Sequence, residues 1–326
     1  MEYRSLGRTA LQVSELCLGT MNFGPNTTPQ DSFAILDHAL DAGINFVDTA
    51  NQYGGHVGVG TTETIIGDWL AQGNARRDRI VLATKLYEPM TDRPNDRGLS
   101  ARNIRRACDE SLKRLQTDHI DLYQMHHLDR AAPWEEVWQA MEVLVAQGKI
   151  LYVGSSNFAG WTIAQANEAA RSRHFLGLVS EQSVYNLTER TIELEVLPAC
   201  ANYGIGVLPW SPLAGGLLAG VLAREHLNDS SGRRTSPQMQ AHIDARRDQL
   251  QQWEKACDEI GHAPSQVGLA WLAQQPGVTA PIVGPRSVEQ LAGALKSVEI
   301  NLDAAFCSRL DEIFPGPGPA PEAYAW

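Results

Sequence analysis

Positive charge is in short supply in this chain. Lys and Arg number 27 against 38 Asp and Glu, a formal net charge of −11. That balance excludes a broad basic face for nucleic acid and leaves only local basic pockets. Cysteine is sparse as well. Cys17, Cys108, Cys200, Cys257 and Cys307 are scattered, odd in number and lack CxxC spacing, so no metal site is expected from them. Reduced thiols in a cytoplasmic protein are the simplest reading. No apolar run is long enough to span a bilayer, so no membrane partner is expected. The opening MEYRSLGRTALQ is not the basic stretch and apolar run of a secretory signal. Internal repeats and a domain-dividing linker are absent too, so residues 1–326 are read as one domain.

What is present is an alternation. Short aliphatic or β-branched runs fall at 15–20, 44–49, 80–86, 120–126, 150–155, 178–183, 205–211 and 280–284. Amphipathic segments separate them, among them SFAILDHALDAG, ARNIRRACDESLKRL, PWEEVWQAMEVLVAQG and SVEQLAGALKSV. In the third of these, Val137, Met141, Leu144 and Val145 recur at helical spacing and Gly148 is a natural stop. Strict strand–helix alternation implies a parallel sheet, and eight such units imply a closed α/β barrel of the (β/α)₈ type. The alternative is a doubly wound open sheet. Against it, the first strand ends in LGTMNFG rather than the GxGxxG of a Rossmann turn. YRSLGRTALQVS reads as an N-terminal hairpin plugging the barrel floor. The stretch from Ser211 to Ala280 is too long for one helix: residues 214–237 read as a mobile loop and 240–261 as one extra helix. The Pro-rich tail 314–326 is expected to be ordered only where it touches the barrel.

Barrels of this kind build their sites at the C-terminal strand ends. Those ends carry Asp48, Lys85, His126, Ser156, Asn157, Gln182, Trp210 and Ser211. Each has a bland explanation: a capping aspartate, a solvated lysine, a core histidine. Several ionisable or amide residues at successive strand ends are harder to explain by stability alone. In GINFVDTANQYG, Asp48 ends an apolar run and needs a cation, or its desolvation is uncompensated. Lys85 on the next strand is the candidate, and its ammonium would then lie beside the Tyr53 hydroxyl. A positive neighbour is expected to lower the tyrosine pKa and fit it for general-acid work. His126 would orient a substrate oxygen, so the set suits carbonyl reduction with a cofactor supplying hydride.

The motifs GINFVDTANQYG followed by Glu63, LATK, DLYQMHH, GSSNF, EQSVYNL and PWSPLAGG run nearly the length of the chain. In order and spacing they resemble the aldo-keto reductases. The resemblance implies a catalytic tetrad of Asp48, Tyr53, Lys85 and His126, with NADPH as cofactor and a small-molecule carbonyl compound as substrate. It implies that Ser156, Asn157 and Gln182 hold the nicotinamide carboxamide and that Trp210 stacks on the ring. Ser211, Leu213, Gly215 and Leu217 would meet the pyrophosphate, while Gly19, Thr20 and Met21 line the cofactor end of the first strand. IVGPRSVEQL resembles the adenosine-phosphate segment, with Gly284, Arg286 and Gln290 matching and Arg286 placed for a 2′-phosphate. The family continues with Glu-Asn where this chain has Gly293-Ala294. DLYQMHH, GSSNFAGW and VGPR look most like a bacterial branch that includes deoxysugar ketoreductases and general aldehyde and ketone reductases. Phe23, Tyr87, His127, Trp134 and residues 215–240 are candidate substrate contacts, with Trp134 equally readable as a helix start. A cofactor-binding regulatory subunit of a potassium channel is the other functional class. The chain opens directly at the hairpin and keeps His126, which favours the enzyme.

Overall fold

The computed structural model describes residues 1–226 and 236–325. The strands are β1 (Tyr3–Ser5), β2 (Gln12–Ser14), β3 (Cys17–Gly19), β4 (Phe46–Asp48), β5 (Val81–Leu86), β6 (Ile120–Met125), β7 (Ile150–Ser156), β8 (Leu178–Gln182), β9 (Gly206–Val207) and β10 (Ile282–Val283). β3 to β10 form one parallel eight-stranded sheet in the order β10-β3-β4-β5-β6-β7-β8-β9. Its two edges meet: Val207 donates to Gly277 O at 3.1 Å, Thr279 to Val207 O at 2.8 Å and Ile282 to Pro209 O at 2.8 Å. The result is a (β/α)₈ barrel, the fold expected from the alternation.

The helices are α1 (Pro29–Asp41), α2 (Thr61–Leu70), α3 (Ala101–Leu115), α4 (Trp134–Ala146), α5 (Gly160–Ser172), α6 (Val196–Tyr203), α7 (Val221–His226), α8 (Pro237–Ala245), α9 (Arg247–Glu259), α10 (Pro264–Ala273), α11 (Val288–Leu295), α12 (Ala304–Ile313) and α13 (Glu322–Ala325). Local sequence sets their ends. Ser100 caps α3 by accepting from Asn103 N–H, and Ile104, Ala107, Cys108, Ser111 and Leu115 form its buried stripe. The expected loop at 214–237 is partly helical, since α7 begins at Val221; residues 227–235 of it lie outside the described residues. The expected single helix at 240–261 is two, broken at Arg246 with φ −125°, and α10 follows as a further helix.

Two apolar layers result. One fills the barrel, where Val13, Phe46, Ala83, Leu122, Val179 and Leu208 meet. The other lies between strands and helices and holds the tryptophans Trp69, Trp138, Trp253 and Trp271. β1 and β2 pair as an antiparallel hairpin whose Leu6 is fully buried in the barrel layer, which is the expected plug. Gly7 at its tip has φ +56°, and a Cβ there would lie 2.5 Å from Val179 O, so only glycine fits. In the tail, the Phe314 carbonyl accepts from Arg190 and the Tyr324 hydroxyl donates to Glu195.

Candidate active site

Register places the strand-end residues side by side. Gly19 is paired with Asp48, Lys85 with Gln124, and Ser156 with Gln182. Asp48 is 2 % exposed and Lys85 0 %. The Lys85 ammonium donates to Asp48 Oδ2 at 2.5 Å, to Thr49 O at 2.9 Å and to the Tyr53 hydroxyl at 3.4 Å. The cation that a buried carboxylate requires is therefore Lys85. Asp48 Oδ1 accepts two further bonds, from Gln124 Nε2 at 2.9 Å and Gln182 Nε2 at 3.0 Å. Gln124 lies within DLYQMHH, yet no role was expected for it. Its signal is an amide near the C-terminal end of the strand IDLYQM, opposite Lys85 in the ladder.

Tyr53 sits on the turn after β4. Gly54 follows with φ +149°, where a Cβ would fall 1.8 Å from Gly58 O, so the turn that aims the tyrosine needs glycine. Behind it, the buried Glu63 of α2 accepts from Thr84 Oγ1 at 2.6 Å and from Arg114 Nε at 2.7 Å, tying α2 to β5 and α3. Lys85 also lies 5.1 Å from the Tyr53 ring centroid.

The electrostatics correct one expectation. Burial raises the Tyr53 hydroxyl above its ordinary value; Lys85 pulls the other way but does not win. Tyr53 thus holds its proton through the neutral range, while Lys85 remains placed to stabilise the phenolate formed when that proton leaves. For Lys85, burial disfavours the charge, but Asp48 and then Tyr53 outweigh it and raise the ammonium above its usual value. Burial, then Lys85 and His127, lower the His126 imidazole to about 2, so it is neutral. Its ring stands edge-on to Tyr53 at 5.9 Å and flat against His127 at 5.1 Å. Its buried Nδ1 has no hydrogen-bond partner among the described residues. His127 meets Glu88 Oε1 at 3.2 Å and stands edge-on to Tyr87.

The residues expected to hold a cofactor fall along one arc of the rim. Ser156 Oγ donates to Gln182 O at 2.7 Å, Asn157 Nδ2 to His126 O at 3.3 Å, and Trp210 Nε1 to Asn157 Oδ1 at 3.0 Å. The indole of Trp210 remains 37 % exposed, a flat apolar face at the end of β9. Beyond it the backbone turns left-handed at Ser211 (φ 54°), Ala214 (φ 49°), Gly215 (φ 67°) and Gly216 (φ 108°). Within this run the Ala214 N–H donates to Ser211 O at 2.9 Å and the Gly216 N–H to Leu213 O at 2.8 Å. The Leu217 side chain is buried and its amide donates to Ala214 O. Thr20 is buried, with its hydroxyl on Asp48 O, and Met21 is exposed. Gly19 packs on Ile282, where a Cβ would meet Cγ2 at 2.6 Å. The Gly284 carbonyl accepts from Asn22, and Gln290 Oε1 accepts from the Arg286 N–H. The Arg286 side chain is exposed and has no ion-pair partner among the described residues. An exposed indole, a left-handed turn and an exposed guanidinium on one rim fit a dinucleotide with phosphate groups.

The substrate expectations separate. Phe23 is fully buried and packs in the core, so it lines no pocket. Trp134 opens α4 and stacks on Trp138 at 5.7 Å, the helix-start alternative. It also lines a surface groove of about 900 Å³ with Leu128, Trp161 and Gln165, to which no tetrad residue contributes.

The model of the Aldo/keto reductase family matches residues 15–314. Over its full length the chain is 55% identical to the whole of the uncharacterized oxidoreductase YrpG of Bacillus subtilis. It is 32% identical to the aryl-alcohol dehydrogenase [NADP(+)] of Phanerodontia chrysosporium, over 94% of this chain and 83% of that protein. A probable voltage-gated potassium channel subunit beta of Oryza sativa is 33% identical over 92% of each. With a family match across the barrel and the side chains of Asp48, Lys85 and Tyr53 brought together at its C-terminal rim, the chain belongs to the aldo/keto reductase family, an oxidoreductase family.

Proposed function

We propose that this protein reduces an aldehyde or ketone to the alcohol with NADPH. The observation that carries the proposal is one fully buried ammonium, Lys85, joining Asp48 to the Tyr53 hydroxyl. Ser156, Asn157, Gln182 and Trp210 would hold the nicotinamide end of the cofactor, the Ser211–Gly216 backbone its pyrophosphate and Arg286 its 2′-phosphate. When bound, the reduced nicotinamide supplies the hydride. The chain's own part is protonic and electrostatic. Neutral His126 donates to the carbonyl oxygen and orients it, and Tyr53 gives that oxygen its proton as negative charge develops. Lys85 stabilises the resulting phenolate, and Asp48 fixes Lys85 with help from Gln124 and Gln182. The N-terminal hairpin closes the opposite end of the barrel, so the chemistry is confined to the rim.

The aryl-alcohol dehydrogenase relative makes aromatic aldehydes the first substrates to try, with keto-sugars as the alternative within the same chemistry. The channel-subunit relative supports a second reading, a cofactor-binding regulatory role. NADPH oxidation measured with a panel of aldehydes, ketones and keto-sugars separates the two. Turnover of any member supports the enzyme, and tight NADPH binding without turnover across the panel supports the regulator.

A further inference from the structure

Glu181 is a buried titratable group that the tetrad does not use. It precedes Gln182 on β8, is fully buried, and by strand alternation faces away from the barrel interior. Among the described residues no Lys or Arg pairs with it. Its carboxylate is instead surrounded by donors. Oε1 accepts from the Phe158 N–H at 3.1 Å and Ser183 Oγ at 2.7 Å, and Oε2 accepts a short bond from Ser155 Oγ. Two of these donors belong to residues 155–158, the end of β7 and the turn that leaves it. That turn presents Ser156 and Asn157, and Asn157 is left-handed at φ 60°. From it, Asn157 reaches the His126 carbonyl and receives the Trp210 indole N–H. One turn therefore links the ends of β6, β7, β8 and β9, and Glu181 holds its backbone from behind.

We propose that Glu181 is a positioning residue whose ionised carboxylate fixes this turn in the arrangement that receives the nicotinamide cofactor. The proposal rests on the cofactor reading above. Ionisation matters because a carboxylate only accepts, whereas the neutral acid must use one oxygen as a donor. Protonated, Glu181 would donate to Ser155, whose hydrogen would turn to Ser180 O at 3.4 Å, and the Phe158 N–H would lose its charge assistance. Burial pushes the carboxyl up to about 7, against the pull of Ser155, Ser183 and the Phe158 and Asn157 amides. Of the elements packed around it, β7 contributes serines, β9 contributes Val207, and α6 contributes the Cys200 thiol. Burial and then Glu181 raise that thiol, which stays neutral. Because the folded-state value lies above the ordinary one, this group adds stability at acid pH. That contribution is lost as pH rises from the ordinary carboxylate range through about 7. Ionised Glu181 thus organises the turn at a cost in stability, which separates a positioning role from a structural one.

The test is Glu181→Gln, which mimics the neutral acid, with NADPH affinity, melting temperature and hydrogen exchange of the 154–160 peptide followed from pH 5.5 to 8.5. At pH 8.5 the variant should bind NADPH about five-fold more weakly or worse, the worth of lost charge assistance. It should melt at or above wild type, and the cofactor-free turn should exchange faster. Wild type should converge on the variant as pH falls. Ser183→Ala, which withdraws one donor without changing charge, should move the midpoint of that convergence to higher pH. Equal NADPH affinity at pH 8.5 with parallel pH trends overturns the proposal, as does a parallel loss of melting temperature and affinity. Should neither protein bind NADPH, the cofactor reading fails, and equal exchange of the turn in the cofactor-free proteins would still overturn the role of Glu181. Should Glu181→Gln not fold, an unmoved Ser183→Ala midpoint overturns it.

Discussion

Replacing Lys85 by Met keeps the length of the side chain and removes its charge. The ammonium is fully buried and makes three bonds, to Asp48, Thr49 O and Tyr53. Without it, Asp48 retains the two amide donors on Oδ1 and loses the only cation in contact with it among the described residues. Stranding one member of a buried pair costs about 3–5 kcal/mol. With roughly 2 cal/mol/K of unfolding entropy per residue, a chain of this length should then melt about 4–7 °C lower. Asp48→Asn should cost a similar amount, because it leaves the ammonium unpaired. The double variant removes both charges, and its cost should fall at least ~2 kcal/mol short of the sum of the singles. Chemical denaturation of the four cofactor-free proteins measures this directly. A cost for Lys85→Met below about 1 kcal/mol, or strict additivity, would show that the pair does not hold the strand ends together and would refute the reasoning.

Other outcomes follow from the same geometry. Arg286→Ala should weaken NADPH about ten-fold or more while leaving NADH nearly unchanged, because a charge-assisted contact is worth roughly 1.5–3 kcal/mol; equal loss for both cofactors removes Arg286 from the 2′-phosphate. NADPH titration by fluorescence quenching should survive a chelator, and turnover abolished by metal removal would contradict the metal-free reading. His126, held down at about 2, should give ring nitrogen shifts of a neutral imidazole throughout pH 4–9, and a titration near the ordinary histidine range would contradict its burial and the nearby charge of Lys85. The unfolded chain takes up that proton when the folded one does not, so this residue should make stability fall as pH drops below the ordinary histidine value.

The fold was largely legible, because parallel strands buried on both faces read as apolar runs and the helices between them carry clear 3.6-residue stripes. The hairpin plug was legible too, from Gly7 between two short extended runs. The region after β9 was not. QAHIDARRDQLQQWEKACDEIG has no proline or glycine before Gly261 to mark the break at Arg246, and the helix from Pro264 carries an apolar pattern too continuous to phase. In the site, Asp48, Lys85 and Tyr53 were legible because a carboxylate at the end of an apolar run demands a partner. Gln124 and Glu181 were not. Their roles depend on which neighbours the ladder brings opposite, and a single strand does not reveal that. The direction of the Tyr53 shift is hidden from the sequence for a related reason. Charge proximity can be inferred from spacing, but the depth of burial that outweighs it emerges only when the barrel closes.

The most direct test of the proposed mechanism is turnover by Tyr53→Phe with a carbonyl compound that the wild type reduces, measured beside its melting temperature and NADPH affinity. The substitution keeps the ring against His126 and Lys85 and removes the transferable proton. kcat should fall about 10²–10⁴-fold with fold and cofactor affinity retained. A variant that melts like wild type, binds NADPH and still turns over within a few-fold of it would contradict the assignment of Tyr53 as the proton donor.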